Sequence, residues 1–310
     1  MKDLVLIDGN NLAHRFFWRF QRQKREQGAS LHFGDKETSV LYSFLRELIL
    51  IEKRYPNSEK VMVWDGGYMR RKAETDIAIQ QGLVKTGYKG TRKEMESDDK
   101  DNFDSQMSHL KTDVLPNLAI LQLQIQGFEA DDIIYSYTLK YPERRCICVT
   151  SDKDYFQALN DHVLVVDLMN DEVWDSERFT KEYGFTPNHY VDYGALMGDP
   201  SDNIPGVPKC GEVSAKKLVR EHGTVENVLK ALAVKEKKSK LEESVLFNTE
   251  LLRLSYSLKK MDVINVPDIS IIPKTEADVK KMLIDWGCVS LLKDADKLCG
   301  KNNPIQTCFI

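Results

Sequence analysis

The sequence predicts an α/β protein, a parallel sheet with helices on both faces, followed by an all-helical region. Three observations carry this expectation. Short apolar runs at 3–8, 60–64 and 145–150 stop at or just before acids, helical stretches lie between them, and strand-like runs give out beyond about Thr186.

Residues 3–8 form an apolar run ending in Asp-Gly, the pattern of a buried parallel strand. Asn11 to Gln23 and Thr38 to Arg54 are expected to be helical, the second with apolar positions 41, 44, 45, 48 and 51. Lys60 to Trp64 is the second strand. From Gly66 to about Asp104 the chain is polar, glycine-punctuated and basic, without a steady apolar face. A long helix is expected to follow to about Leu123, and another to open near Ala130. Arg145 to Thr150 is the third strand, with shorter ones at 163–167 and 172–174. Helices are then expected at 188–198, 212–222, 224–232 and 238–259. Pro205-Gly-Val-Pro208 and Gly211 read as a rigid hairpin between the first two. After Pro267 the pattern predicts extended segments and one helix near 275–285. The apolar end Cys308-Phe-Ile reads as disordered or partner-binding.

At 310 residues and 42% hydrophobic, the chain can bury one large domain and a smaller one. No run of 18 apolar residues occurs and no basic-then-apolar leader opens the chain, so a soluble, cytoplasmic protein is expected. The six cysteines, at 146, 148, 210, 288, 299 and 308, fit neither a disulfide framework nor a zinc site and are expected as reduced thiols.

Carboxylates gather in three groups, G-F-E-A-D-D at 127–132, T-S-D-K-D at 150–154 and G-D-P-S-D-N at 198–203. Asp8 and Asp65 stand at the ends of two strands. Acids crowded where apolar strands stop need cations to stay ionised. An oxygen-only ligand set points to hard divalent ions, Mg²⁺ with Mn²⁺ as a substitute. Two such ions about 3.5–4 Å apart can activate a water and stabilise a leaving oxygen in phosphodiester hydrolysis. Any one of these acids alone would pass for a helix cap or turn residue. The phosphate-loop pattern fails, because Gly206-x₄-Gly211 is followed by Glu212. No H-E-x-x-H occurs among the dispersed histidines.

The net charge of −4 is misleading. Nine of the 48 acids belong to the groups above, and setting them aside leaves 39 against 44 bases. Residues 68–93 hold seven bases against two acids, and 205–220 hold four against one. Both stretches flank the acids in sequence, as a phosphate-binding surface would. Arg15-Phe-Phe-Trp-Arg-Phe20 adds aromatics that could stack on a terminal base pair.

The strings L-I-D-G-N-N-L, V-W-D, Y-K-G-T-R, F-E-A-D-D, T-S-D-K-D-Y-F-Q-A-L and G-D-P-S-D-N-I-P-G-V-P resemble, in this order, the 5′-nuclease family. That family comprises flap endonucleases, phage 5′–3′ exonucleases and the exonuclease domain of bacterial DNA polymerase I. The resemblance covers roughly residues 3–230 and is nearest to free-standing phage enzymes. It implies a PIN-like nuclease domain at 1–185 with an arch at about 66–104, a helix-three-turn-helix module at 186–262, and a C-terminal tail at 263–310.

By position, Asp8, Asp65, Glu129 and Asp131 would serve one metal and Asp152, Asp154 and Asp199 a second, with Asp132 and Asp202 acting directly or through water. Tyr88, Lys89 and Arg92 match the arch motif, in which a lysine and an arginine contact the scissile phosphate. Arg70, Arg71, Lys93, Gly206, Val207, Lys209, Gly211, Lys216 and Lys217 would contact DNA, with a K⁺ in the hairpin.

The implied substrates are 5′ flaps, nicks, gapped duplex and RNA-primed DNA, cut by a monomer alongside replication proteins. The hairpin departs from the usual G-V-P-G-I-G-x-K-T-A, reading G-V-P-K-C-G-E-V-S-A, with Lys209, Cys210 and Val213 at the changed places. Two other readings stay open, a PIN-type ribonuclease and a non-catalytic DNA-junction binding protein.

Overall fold

The computed structural model describes residues 2–28, 31–118, 120–270 and 274–299. At its centre is β1 (Leu4–Asp8), buried along its whole length. Leu4 and Leu6 face one layer of helices, and Val5 and Ile7 face the other. A strand covered on both faces needs an unbroken apolar run, which is what L-V-L-I supplies.

Helix α1 (Gly9–Gln27), a small hairpin of β2 (His32–Phe33) and β3 (Lys36–Glu37), and α2 (Ser39–Arg54) lead to β4 (Glu59–Trp64). Helices α3 (Met69–Gln80) and α4 (Ser97–His109) precede β5 (Leu121–Gln124) and α5 (Ala130–Lys140). Strands β6 (Cys146–Val149), β7 (Val163–Asp167) and β8 (Glu172–Trp174) complete a six-stranded sheet of order β5-β4-β1-β6-β7-β8. All pairings are parallel except β7 with β8. The carboxyl ends of β1, β4 and β6 therefore meet along one edge, the place where open α/β sheets carry their sites.

The helical region holds α6 (Ser176–Tyr183), α7 (Tyr190–Met197), α8 (Glu212–His222), α9 (Val225–Val234), α10 (Lys240–Phe247) and α11 (Thr249–Lys259). Its apolar faces join the core that contains Leu4, Leu6 and α5.

Three expectations are corrected. The long helix does not reach Leu123. Pro116, lacking an N–H, ends the helical run at Asn117, and L-Q-L-Q alternates with period two and pairs with β4. Residues 66–104, expected to lack a steady apolar face, do hold a helix with an inward face, α3, which packs through Arg71, Thr75 and Ala78. An arginine and a threonine at helical spacing hide that face from any hydrophobic pattern. The helix expected over 238–259 breaks at Asn248, whose side chain donates to Ser244 O at 2.7 Å.

In the region after 263 a helix forms where one was expected, near 275–285. α12 (Glu276–Asp285) and the 3₁₀ segment Val289–Leu298 bury Val279, Met282, Leu283 and Leu291 in the core of α1 and α2. The expectation for Cys308-Phe-Ile lies outside the described residues. The five described cysteines are buried, and among the described residues no helix is long and apolar enough to cross a membrane.

Candidate active site

Each acid in the cleft at the sheet edge is held by its own local structure. Asp8 ends β1 and caps α1, accepting from Asn11 N–H at 3.0 Å, and it also accepts from Thr150 Oγ1 and Tyr155 Oη. Asp65 follows β4, and its carboxylate takes the Ala130 N–H at 2.8 Å, tying it to the start of α5. Glu129 caps α5 and Asp131 lies in its first turn, where the helix dipole favours negative charge. Asp152 opens the 3₁₀ turn after β6 and accepts from Asp154 N–H at 2.8 Å.

Asp8, Asp65, Glu129, Asp131 and Asp152 line one cleft of about 250 Å³ together with Asn10, Asn11, His14, Arg15, Lys89 and Arg92. Burial, then the Asp65 and Asp131 charges, push Asp8 up to about 7. Burial and Asp131 likewise raise Glu129 to about 7, against the pull of Lys89 and Arg71.

The loop after α3 brings cations to the rim. Lys89 has φ 57°, a conformation costly for a non-glycine residue, and its N–H is tied to Asp202 O at 2.9 Å. Asn203 grips the same loop through Thr86 O and Gly87 O at 2.9 and 2.8 Å. The Lys89 ammonium touches Glu129 and lies 4.0 Å from Asp202. Tyr88 Oη donates to Asp202 at 3.0 Å, and Arg92 pairs with the same carboxylate. Burial opposes the charge on Lys89, but Glu129 and Asp202 outweigh it and raise its pKa.

Several expected roles change. Arg71 is 2% exposed and cannot meet DNA; its guanidinium bonds Glu129 at 2.6 Å and holds Asp132 bidentately at 2.8 and 2.9 Å. Asp132 is thereby an internal brace, with one oxygen also accepting Asp262 N–H, and not a cleft acid. Arg70 is spent on Asp262, Glu74 and carbonyls of Ser257 and Lys260, joining α3 to the end of α11. Asp202 braces the 88–92 loop instead of lining the cleft.

Asp154 and Asp199 turn to Lys259, whose ammonium contacts the first and lies 3.0 Å from the second. Burial works to raise Asp199, but Lys259 and Ser201 hold it below its ordinary value.

In the hairpin, Gly206 and Val207 are buried. Their N–H groups donate to Ser255 Oγ at 3.0 Å and Leu196 O at 2.9 Å, so neither is turned to solvent. Gly198 and Gly206 meet backbone to backbone, a Cβ on either lying within 2.8 Å of the other's N. That contact, not phosphate binding, accounts for both glycines. Lys209, Gly211 and Lys217 are exposed, as is Lys93 on the other side. Lys216 pairs with Glu212 at 2.7 Å. Phe16 and Phe17 are core, leaving Trp18 as the exposed aromatic of that helix face.

Sequence reasoning missed Lys259 and the internal role of Arg71. Lys259 follows the buried stripe Leu252, Ser255, Leu258, and Arg71 heads the stripe Arg71, Thr75, Ala78; charged residues on inward faces were the available signal.

The donor chemistry of the cleft fits a hard divalent ion, since its acids are oxygen donors and those acting on Asp8 add further negative charge. Among the described residues no three ligating side chains are gathered into a ready-made metal cage. Glu129 is meanwhile neutralised by Lys89 and Arg71.

The chain matches the description "5′-3′ exonuclease, N-terminal resolvase-like domain" over residues 3–184 and "5′-3′ exonuclease, C-terminal SAM fold" over 185–273. It is 29% identical to the 5′-3′ exonuclease of Aquifex aeolicus over 305 residues, 96% of each protein. It is 32% identical to DNA polymerase I of Streptococcus pneumoniae over 271 residues, 84% of this chain but 28% of the polymerase. In fold it is similar to T5 5′-exonuclease with bound zinc (TM-score 0.65, 18% identity, covering 96% of this chain and 100% of that one). The catalytic core of Rad2 in complex with DNA substrate is also similar (TM-score 0.58, 16% identity, 97% and 92% covered). With the two descriptions together spanning residues 3 to 273, the chain belongs to the 5′–3′ exonuclease family of nucleases.

Proposed function

We propose that the chain is a divalent-metal-dependent, structure-specific 5′ nuclease that cuts DNA at flaps, nicks and RNA-primed ends and leaves a 3′-hydroxyl and a 5′-phosphate. The observation that carries this reading is the five-carboxylate cleft at the sheet edge with Lys89 and Arg92 at its rim. Asp8, Asp65, Glu129, Asp131 and Asp152 would hold Mg²⁺ or Mn²⁺ there. A bound ion would supply an activated water and compensate charge on the phosphate.

The protein groups have separable tasks. Lys89 and Arg92 exchange Glu129 and Asp202 for the non-bridging oxygens of the scissile phosphate, where negative charge develops. Asp202 and Asn203, by tying down the 86–92 loop, set where those cations stand. Division near residue 185 gives cutting to the sheet domain and duplex grip to the helical module, through Lys209, Lys216, Lys217 and the exposed Gly211 backbone. A K⁺ in the hairpin stays part of this reading, although the Val207 and Pro208 carbonyls each already accept one hydrogen bond, from Cys210 N–H and Ser244 Oγ. The same reading has the chain act as a cytoplasmic monomer during DNA replication or repair.

The test is an end-labelled 5′-flap duplex incubated with Mg²⁺ and then with EDTA. Cleavage near the junction that requires the metal is expected. Binding without metal-dependent cutting would remove the proposal.

A further inference from the structure

We propose that Lys259 is a resident cation that takes the place of a second divalent ion at Asp154 and Asp199. The inference rests on the reading of the neighbouring cleft as a metal centre. It also departs from the expectation that Asp152, Asp154 and Asp199 hold a second ion.

The Lys259 side chain is 3% exposed, and its ammonium touches Asp154 while lying 3.0 Å from Asp199 Oδ2. The two acids come from different elements, the turn after β6 and the loop after α7, so one ammonium joins two parts of the site. A strongly hydrated cation is buried this deeply only where carboxylates replace its water.

The surroundings are shaped to it. The Lys259 stem crosses α7 at Gly194, where a Cβ would stand 2.9 Å from Lys259 Cγ and 3.0 Å from Cε. Glycine is unfavourable inside a helix, and here its missing side chain is what lets the stem pass. The backbone is fixed as well. Gln157, in the same turn as Asp154, donates to Lys259 O at 3.1 Å and accepts from Met261 N–H at 3.0 Å. The end of α11 is thus clamped to the turn whose acid its side chain neutralises.

A dication entering between Asp154 and Asp199 would meet an ammonium already there, and like charges at contact distance in a half-buried setting repel strongly. Among the described residues, the cleft acids Asp8, Asp65 and Asp131 face no such occupant in direct contact, apart from Arg71 at 3.7 Å from Asp131. The same edge of the sheet therefore carries one cluster open to metal and one served by lysine.

Titration of the DNA-free protein with Mn²⁺, with free ion counted by electron paramagnetic resonance, reads this directly. The intact chain is expected to bind one ion tightly, and Asp199→Asn to leave that number unchanged. Lys259→Met should add a second ion, raising affinity at that locus by about ten-fold or more. Lys259→Arg should not, and Asp199→Asn combined with Lys259→Met should abolish the gain. Loss of one ion in Asp199→Asn alone, or no gain in Lys259→Met, would overturn the proposal. If Lys259→Met does not fold, the Asp199→Asn count decides by itself.

The cleft reading fails separately. Asp65→Asn that keeps the tight ion would sink it without touching the Lys259 comparison.

Discussion

The Asp8 cleft and the Lys259 cluster are built from the same residue type at the same sheet edge, yet they solve carboxylate repulsion differently. In the cleft, burial and neighbouring acids push Asp8 up to about 7. Beside Lys259, Asp199 is held below its ordinary value despite burial, while Asp154, buried and next to Asp152, is still raised to about 7 against the pull of Lys259. A carboxylate whose counter-charge is covalently part of the protein is spoken for. One whose neighbours are other acids is available to an external cation. Between these limits sits Glu129, which touches both Lys89 and Arg71. It marks the border between chemistry and scaffold.

Asp131→Asn should lower the single-turnover rate of flap cleavage by on the order of 10³-fold, several kcal/mol of transition-state stabilisation. A change under ten-fold would mean that these acids are not the cutting centre.

Arg71→Met tests the scaffold side. It leaves Glu129 and Asp132 buried without their guanidinium and should destabilise the fold by roughly 3–5 kcal/mol in urea denaturation. An unchanged midpoint would show that the pair is dispensable.

Lys89→Ala should slow cleavage about 10²-fold while altering DNA affinity little. Equal losses in both would make Lys89 a phosphate anchor only.

A third kind of buried acid sharpens the contrast. Glu47 on α2 is 5% exposed with Oε1 lacking a hydrogen-bond partner among the described residues, and burial raises it to about 7 despite Arg15. A carboxyl raised in the folded state costs stability once ionised. The cost is absent below its ordinary value near 4.5 and complete above about 7. Glu47→Gln should therefore raise stability by about 1–3 kcal/mol at pH 8 and hardly at all at pH 4. A gain of equal size at both values would contradict ionisation as the cause.

The smallest effect concerns the duplex grip. Lys216→Ala with Lys217→Ala should flatten the slope of log affinity against log salt by about one to two. An unchanged slope would take α8 out of the DNA footprint.

Much of the site was legible in sequence because it is local. Asp8, Asp65 and Asp152 follow strands recognisable by their apolar runs, and Glu129 and Asp131 open a helix. Where the reading failed, the deciding interaction was remote or disguised. The edge strand L-Q-L-Q was hidden by its half-polar composition. α3 was hidden because its inward face carries Arg71 and Thr75. Gly206 and Val207 looked available to phosphate until their amides were found bonded to Ser255 and Leu196.

Besides showing a family resemblance in its motif strings, the sequence by itself determined the α/β order and the strand ends at which acids collect. These follow from periodicity and chain position, which local physics sets. Only the tertiary structure decided which cation each acid receives. Arg71 reaches Glu129 across 58 positions, and Lys259 reaches Asp199 across 60. No local pattern encodes a pairing over such distances. It arises when the helices pack and each buried charge must find its partner.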